Sequence, residues 1–155
     1  MIRPLKLLVV VALLGLAGCA EDDPALEDVP EPAAQEPAAG ATVEVNADEY
    51  EFSGIPPELE AGETTFVLTN SGQEPHEFSL FQITSDMALE DLFELRQDEL
   101  EQHIHDEGHA AAKPAKTDEL TAELSAGRYG YVCFISAPDG EPHALKGMAG
   151  EFTVA

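Results

Sequence analysis

Short segments of alternating apolar and polar residues, each closed by a Gly, Pro or Asn turn, recur from residue 41 to the end, and they restrict the fold more than any other feature. Thr42 to Phe52 carries Val43 and Val45, then Tyr50 and Phe52, before Gly54-Ile55-Pro56-Pro57 interrupts it. Thr64 to Thr69 runs into Asn70-Ser71-Gly72, and from His76 to Ile83 Phe78, Leu80 and Gln82 oppose Glu77, Ser79 and Phe81. Thr121 to Leu124, Arg128 to Ile135 and Gly147 to Val154 complete the series. A period of two buries one face of a strand, and several such strands must pack their apolar faces together. The expectation is an all-β domain, a small sandwich or barrel. One segment departs from the pattern. Met87 to Ile104 places Leu89, Leu92, Phe93, Leu100 and Ile104 at helical spacings, which predicts an amphipathic helical insertion near residues 86–106, laid across the sandwich. Ala110 to Thr117 then reads as a mobile stretch.

The amino terminus is organised differently. Arg3 and Lys6 precede an apolar run, Leu7 to Ala17, too short to cross a hydrocarbon core of about 30 Å. It has the dimensions of a secretory h-region and ends in Leu16-Ala17-Gly18-Cys19, which resembles the lipobox of bacterial lipoproteins. That resemblance implies a signal peptide at 1–18 and lipidation of Cys19, with two acyl chains anchoring the mature chain to the extracytoplasmic side of a cell membrane. Residues 19–40, rich in Ala, Pro, Glu and Asp and without an aromatic residue, read as a disordered acidic spacer. Residues 41–155 suffice for one compact domain.

Charge excludes more than it identifies. The chain carries 31 acidic and 7 basic side chains, a formal −24. Such a field repels nucleic acid and anionic lipid and steers the domain toward a basic partner, or simply keeps an acidic surface solvated in salt. The expectation is a monomer touching the membrane through its anchor only.

With Cys19 assigned to lipid, Cys133 has no disulfide partner in an oxidising compartment, so its thiol must be buried or ligated. Its company favours ligation. His143 and Met148 follow it, and His76 stands upstream after the Asn70 turn. A thiolate, two imidazoles and a weak thioether form a mixed soft and intermediate donor set. His103, His105 and His109 form a second group among Asp106 and Glu107. His105 and His109 are four apart, the spacing that shares a helix face, although Gly108 between them opposes a continued helix.

The first set resembles the type 1 copper site of the cupredoxins over most of residues 41–155. Asn70-Ser71-Gly72-Gln73-Glu74-Pro75-His76 is similar to the family's Asn-x-Gly turn before its first histidine. Cys133, His143 and Met148, followed by Gly150-Glu151-Phe152-Thr153-Val154, keep the family's order of ligands and last strand. The resemblance implies a cupredoxin-like Greek-key β-sandwich and a copper ion held by His76, Cys133, His143 and Met148. It also implies one-electron transfer rather than enzymatic turnover, with His143 near the surface as the exit path. The departure is the long interval from Phe134 to Pro142, in which Pro138-Asp139-Gly140 could fold the loop back. Two other functions remain open: copper storage, delivery or resistance, with His103, His105 and His109 as an acquisition site, and a metal-free recognition module. The partner is accordingly a redox protein or a copper donor or acceptor, basic at its docking face.

Overall fold

The computed structural model describes residues 40–155. The expected signal peptide, Cys19 and all of the spacer but Gly40 lie outside the described residues. Among those described, β1 (Ala41–Asp48), β2 (Glu51–Ser53), β4 (Gly62–Asn70) and β7 (Thr117–Leu124) form one sheet in the order β2-β1-β4-β7. The other sheet holds β3 (Glu58–Leu59), β5 (His76–Ile83), β6 (Ile104–Ala112), β8 (Gly127–Val132) and β9 (Ala149–Val154), in the order β3-β9-β8-β5-β6. Strand β1 runs parallel to β4, and β3 parallel to β9; the remaining pairs are antiparallel. The chain crosses between sheets from β2 to β3, from β3 to β4, from β4 to β5, from β6 to β7 and from β7 to β8. This is the expected Greek-key β-sandwich.

Alternation explains the packing. Val43, Val45 and Ala47 of β1, Phe66 and Leu68 of β4, and Phe78 and Leu80 of β5 are buried between the sheets, against Tyr129 and Phe152. Tyr129 and Phe152 stack at 5.4 Å with nearly parallel rings. The Tyr129 hydroxyl accepts from the Ser125 amide at 3.0 Å and donates to the Ser125 carbonyl at 3.1 Å, which ties the β7–β8 turn to the core.

The outer face of the larger sheet is apolar too. Phe81, Ile83 and Val132 point away from the first core and pack under Leu89 and Leu92. This covering segment is the expected insertion in the expected place, but it is not one helix. It forms two single turns, α1 (Leu89–Leu92) and α2 (Gln97–Leu100), separated at Arg96, whose backbone is extended at φ −71°, ψ 156°. Phe93 and Leu95 lie beyond the end of α1 and pack, half-buried, against the same apolar cluster as Leu92. Ile104 pairs with Ile83 and starts β6.

Two further expectations are corrected. Thr42–Phe52 is a hairpin, with Asp48 paired to Glu51 across Glu49-Tyr50. Ala110–Ala112 belongs to β6 and is not a mobile stretch: Ala110 and Ala112 are buried in the core, despite the poor strand propensity of alanine.

Candidate metal centre

One end of the sandwich collects the donors. His76 is the first residue of β5, Cys133 directly follows β8, and Met148 directly precedes β9. Asn70, the last residue of β4, builds the turn before His76. Its buried amide donates to the carbonyls of Glu74 and Ala112, both at 2.8 Å, while its Oδ1 accepts from the Gly72 amide at 2.8 Å. Gly72 fits tightly. A Cβ there would stand 2.5 Å from Glu49 Oε1 and 3.0 Å from His76 Nε2.

The long interval after Cys133 folds out of the way. Ala137-Pro138-Asp139-Gly140 is a turn closed by the Gly140 amide on the Ala137 carbonyl at 2.8 Å, with Gly140 at φ 88°. The Ala137 amide reaches the Glu141 carbonyl at 2.8 Å, and the His143 amide reaches that of Ile135 at 2.8 Å. The excursion is a small hairpin, as its Pro-Asp-Gly sequence implied, and it returns His143 beside Cys133. Lys146 Nζ closes it from below on Asp139 at 2.5 Å and Glu141 at 3.2 Å. Residues His143–Lys146 then form one 3-10 turn that ends at Gly147, φ 119°. The Cys133 amide donates to the Met148 carbonyl and the Met148 amide to that of His143, both at 3.0 Å.

His76, Cys133 and His143 converge, with one donor atom from each lying within 4.8 Å of the others. The two Nδ1 atoms are 3.2 Å apart, and Cys133 Sγ is 3.5 Å from His143 Nδ1. All three residues and Met148 are fully buried. Burial pushes the Cys133 thiol above its ordinary range, against the amide of Glu77, which donates to Sγ at 3.4 Å. Burial, and next the neighbouring His143, push His76 below the ordinary imidazole value. Both shifts disfavour extra charge on the isolated ligands.

The donor set fits a metal ion. His143 Nε2 lies 3.0 Å from Glu74 Oε2, within hydrogen-bond distance, and its Nδ1 faces His76 and Cys133. Two imidazole nitrogens and a sulfur point into one small volume, where a metal ion would take the place of the protons that otherwise link them. The mixture of nitrogen and sulfur suits a soft or intermediate ion.

Sequence reasoning did not find the residues around these donors. Tyr50 packs edge-on against the His143 ring at 4.8 Å and donates its hydroxyl to Glu74 Oε1 at 3.3 Å. Burial, and next the charge of Glu74, raise the Tyr50 hydroxyl above its ordinary value. Glu49 Oε1 lies 3.7 Å from His76 Nε2 and accepts the amides of Gln73 and Glu74 at 2.5 and 2.9 Å. Those two amide hydrogen bonds hold the Glu49 carboxyl below its usual range. A signal was present: the apolar positions of the first strand slip from odd (Val43, Val45) to even (Tyr50, Phe52), which marks a turn. These side chains also correct one expectation, because His143 is covered by Tyr50 and Glu74 and does not reach the surface.

The second histidine group is not brought together. His105 and His109 are exposed on β6, paired with Gln82 and Ser79, and His103 lies in the preceding turn. The extended backbone removes the shared helix face, and the register shift opposite Leu80 and Phe81 separates the two further.

No known family profile and no curated protein matches this sequence. Solved structures do. Reduced auracyanin from the photosynthetic bacterium Roseiflexus castenholzii is 16% identical, with 76% of this chain and 99% of that chain covered at a TM-score of 0.52. Auracyanin B is 20% identical, with 79% and 92% covered at 0.53. Auracyanin A, a "blue" copper protein from the green thermophilic photosynthetic bacterium Chloroflexus aurantiacus, is 20% identical, with 76% and 100% covered at 0.52. The domain has the cupredoxin β-sandwich fold, with a buried His-Cys-His cluster at the end of its strands.

Proposed function

We propose that this chain is a one-electron carrier built on a mononuclear type 1 copper centre, which His76, Cys133 and His143 would hold strongly and the Met148 thioether weakly. The convergence of two Nδ1 atoms and a thiol sulfur in a fully buried pocket carries this reading. Copper bound there supplies a Cu(II)/Cu(I) couple that exchanges one electron without a proton. The chain holds the ligands rigidly. His76, Cys133 and Met148 are fixed by the strands they adjoin, and His143 by the hydrogen bond its amide donates to the Ile135 carbonyl. Rigid ligands reorganise little between oxidation states, and the buried pocket keeps water away from them. Full burial also leaves the ligands no open face for a substrate, which supports a carrier rather than an enzyme.

The test is the absorption and EPR spectrum of the purified chain after addition of Cu(II). An intense visible band that disappears in Cys133→Ser is expected; its absence from the wild type would overturn the type 1 assignment.

A docking surface adjoins the centre. Phe134 and Leu145 are 52% and 63% exposed, and Phe93, Leu95, Leu100 and Ala144 lie between them. Glu90, Glu94, Glu101 and Asp106 line the adjoining hollows. The nearby cations are engaged: Arg96 with Asp98 and Glu99, and Lys146 with Asp139 and Glu141. An apolar centre with an acidic rim fits a redox protein carrying an apolar centre and a lysine or arginine rim. Phe134 adjoins Cys133 in sequence, so this face offers the short route that the covered His143 does not.

For location, we propose that the carrier is tethered on the extracytoplasmic side through lipid on Cys19. The lipobox-like Leu16-Ala17-Gly18-Cys19 supports this. Incorporation of labelled palmitate that is lost in Cys19→Ser tests it; an unlabelled wild type would remove the anchor and leave the copper reading standing.

A further inference from the structure

Each imidazole of the centre has a carboxylate behind the nitrogen that faces away from the other donors. Glu74 Oε2 is 3.0 Å from His143 Nε2, and Glu49 Oε1 is 3.7 Å from His76 Nε2. Neither carboxylate is free to wander. Glu74 is held by its side chain on the Tyr50 hydroxyl, by its amide on Glu49 and by its carbonyl on Asn70. Glu49 is held by the amides of Gln73 and Glu74. The two acids therefore form one unit, contributed by the β1–β2 hairpin and the loop before β5, which closes over both histidines. His76 Nε2 is buried and has no hydrogen-bond partner, and Glu49 is the acceptor that stands closest to supplying one.

We propose that Glu74, supported by Glu49, is a positioning residue of the centre that fixes His143 in its Nε2–H tautomer and biases the site toward the more highly charged metal state. The proposal rests on the copper reading above for its second half only. The tautomer follows from geometry: a carboxylate accepts and cannot donate, so the proton of a neutral His143 must sit on Nε2, leaving Nδ1 as a lone pair aimed at Cys133 and His76. The bias follows from charge. Reduction adds one electron at the metal and none at the carboxylates, so two fixed anions behind the ligands favour Cu(II) over Cu(I) and lower the reduction potential.

Glu74→Gln and Glu74→Ala separate the two roles, because glutamine can still accept the Nε2 proton but carries no charge. The first readout needs no copper. Proton–nitrogen correlation NMR of the 15N-labelled, metal-free chain reports which nitrogen of His143 holds the proton. Nε2–H is expected in the wild type and in Glu74→Gln, with a shift toward Nδ1–H in Glu74→Ala. An unchanged tautomer in Glu74→Ala would overturn the positioning role. The second readout is the affinity of the full chain for Cu(II) relative to Cu(I). Both variants should lose about tenfold or more of that ratio, equivalent to a rise of about 59 mV in potential. Glu119→Gln, an exposed acid on β7, should lose none. A ratio within twofold of wild type in Glu74→Gln would overturn the electrostatic role. A chain that binds no copper at all would overturn the proposed function and the bias together, and the tautomer measurement would still decide the positioning role.

Discussion

Asn70 shows how one side chain can hold a site together without touching it. Its amide satisfies two carbonyls and one amide, and all three partners lie in or beside the loop that delivers His76. Truncation would leave these groups unpaired at a position that is 1% exposed. Asn70→Ala is therefore expected to lose about 3 kcal/mol of stability in urea unfolding, since each orphaned buried group costs about 1–3 kcal/mol. The metal-free chain should show the full loss, because the effect precedes any ligand. The cluster of His76, Cys133 and His143 is legible in the sequence, since a lone cysteine followed by a histidine, with an earlier histidine after an Asn-x-Gly turn, is an uncommon order. Glu49, Tyr50 and Glu74 were not legible. In an acidic chain any one glutamate is unremarkable, and only the hairpin at Glu49-Tyr50 shows which of them meets an imidazole.

Among the elements, strands were read more reliably than the insertion. A strand declares itself over six or eight residues by alternation, whereas a helix declares itself by a period that two separate turns can imitate. What α1 contributes is a lid for Phe81, Ile83 and Val132, the last of which directly precedes Cys133. Leu92→Ala is expected to cost about 2–5 kcal/mol, measured by denaturant titration, as for other fully buried leucines. The edges of the two sheets are joined by another contact. Asp118 of β7 accepts the Ala111 amide of β6 at 2.8 Å, and that bond holds its carboxyl below the ordinary value of 3.8. A depressed folded value means that the contribution is complete above the unfolded value and is lost as pH falls through the folded one. The melting temperature of wild type should therefore fall more steeply than that of Asp118→Asn as pH is lowered from about 5 to 2. Parallel curves would show that the bond has no energetic weight. Tyr129→Phe, which removes the tie to the Ser125 backbone, should cost about 1 kcal/mol in urea unfolding.

On the scale of the whole molecule, the exposed large apolar side chains among the described residues, Phe134 and Leu145, stand in a chain with 31 acidic and 7 basic residues. On the proposed function, an acidic field acting over about 8 Å at physiological ionic strength would guide a cationic partner, and short-range contact at Phe134 and Leu145 would then take over. Electron exchange of the copper-loaded chain with the apolar trication tris(phenanthroline)cobalt(III) should slow about tenfold in Phe134→Lys combined with Leu145→Lys, with the visible spectrum unchanged. The difference should shrink as salt is raised. Stopped-flow rates that do not respond to the double substitution would move the exit to another face.

The small hairpin between Ile135 and His143 carries a consequence of a different kind. Its amide and carbonyl pairs seal the base, so the distance between Cys133 and His143 is set where the excursion begins and ends, not by how far it travels. Residue count and coordination geometry are thereby uncoupled in this chain. Lys146 engages Asp139 and Glu141 at the tip, so its length can vary only as far as those contacts allow, while the sealed base keeps Cys133 beside His143.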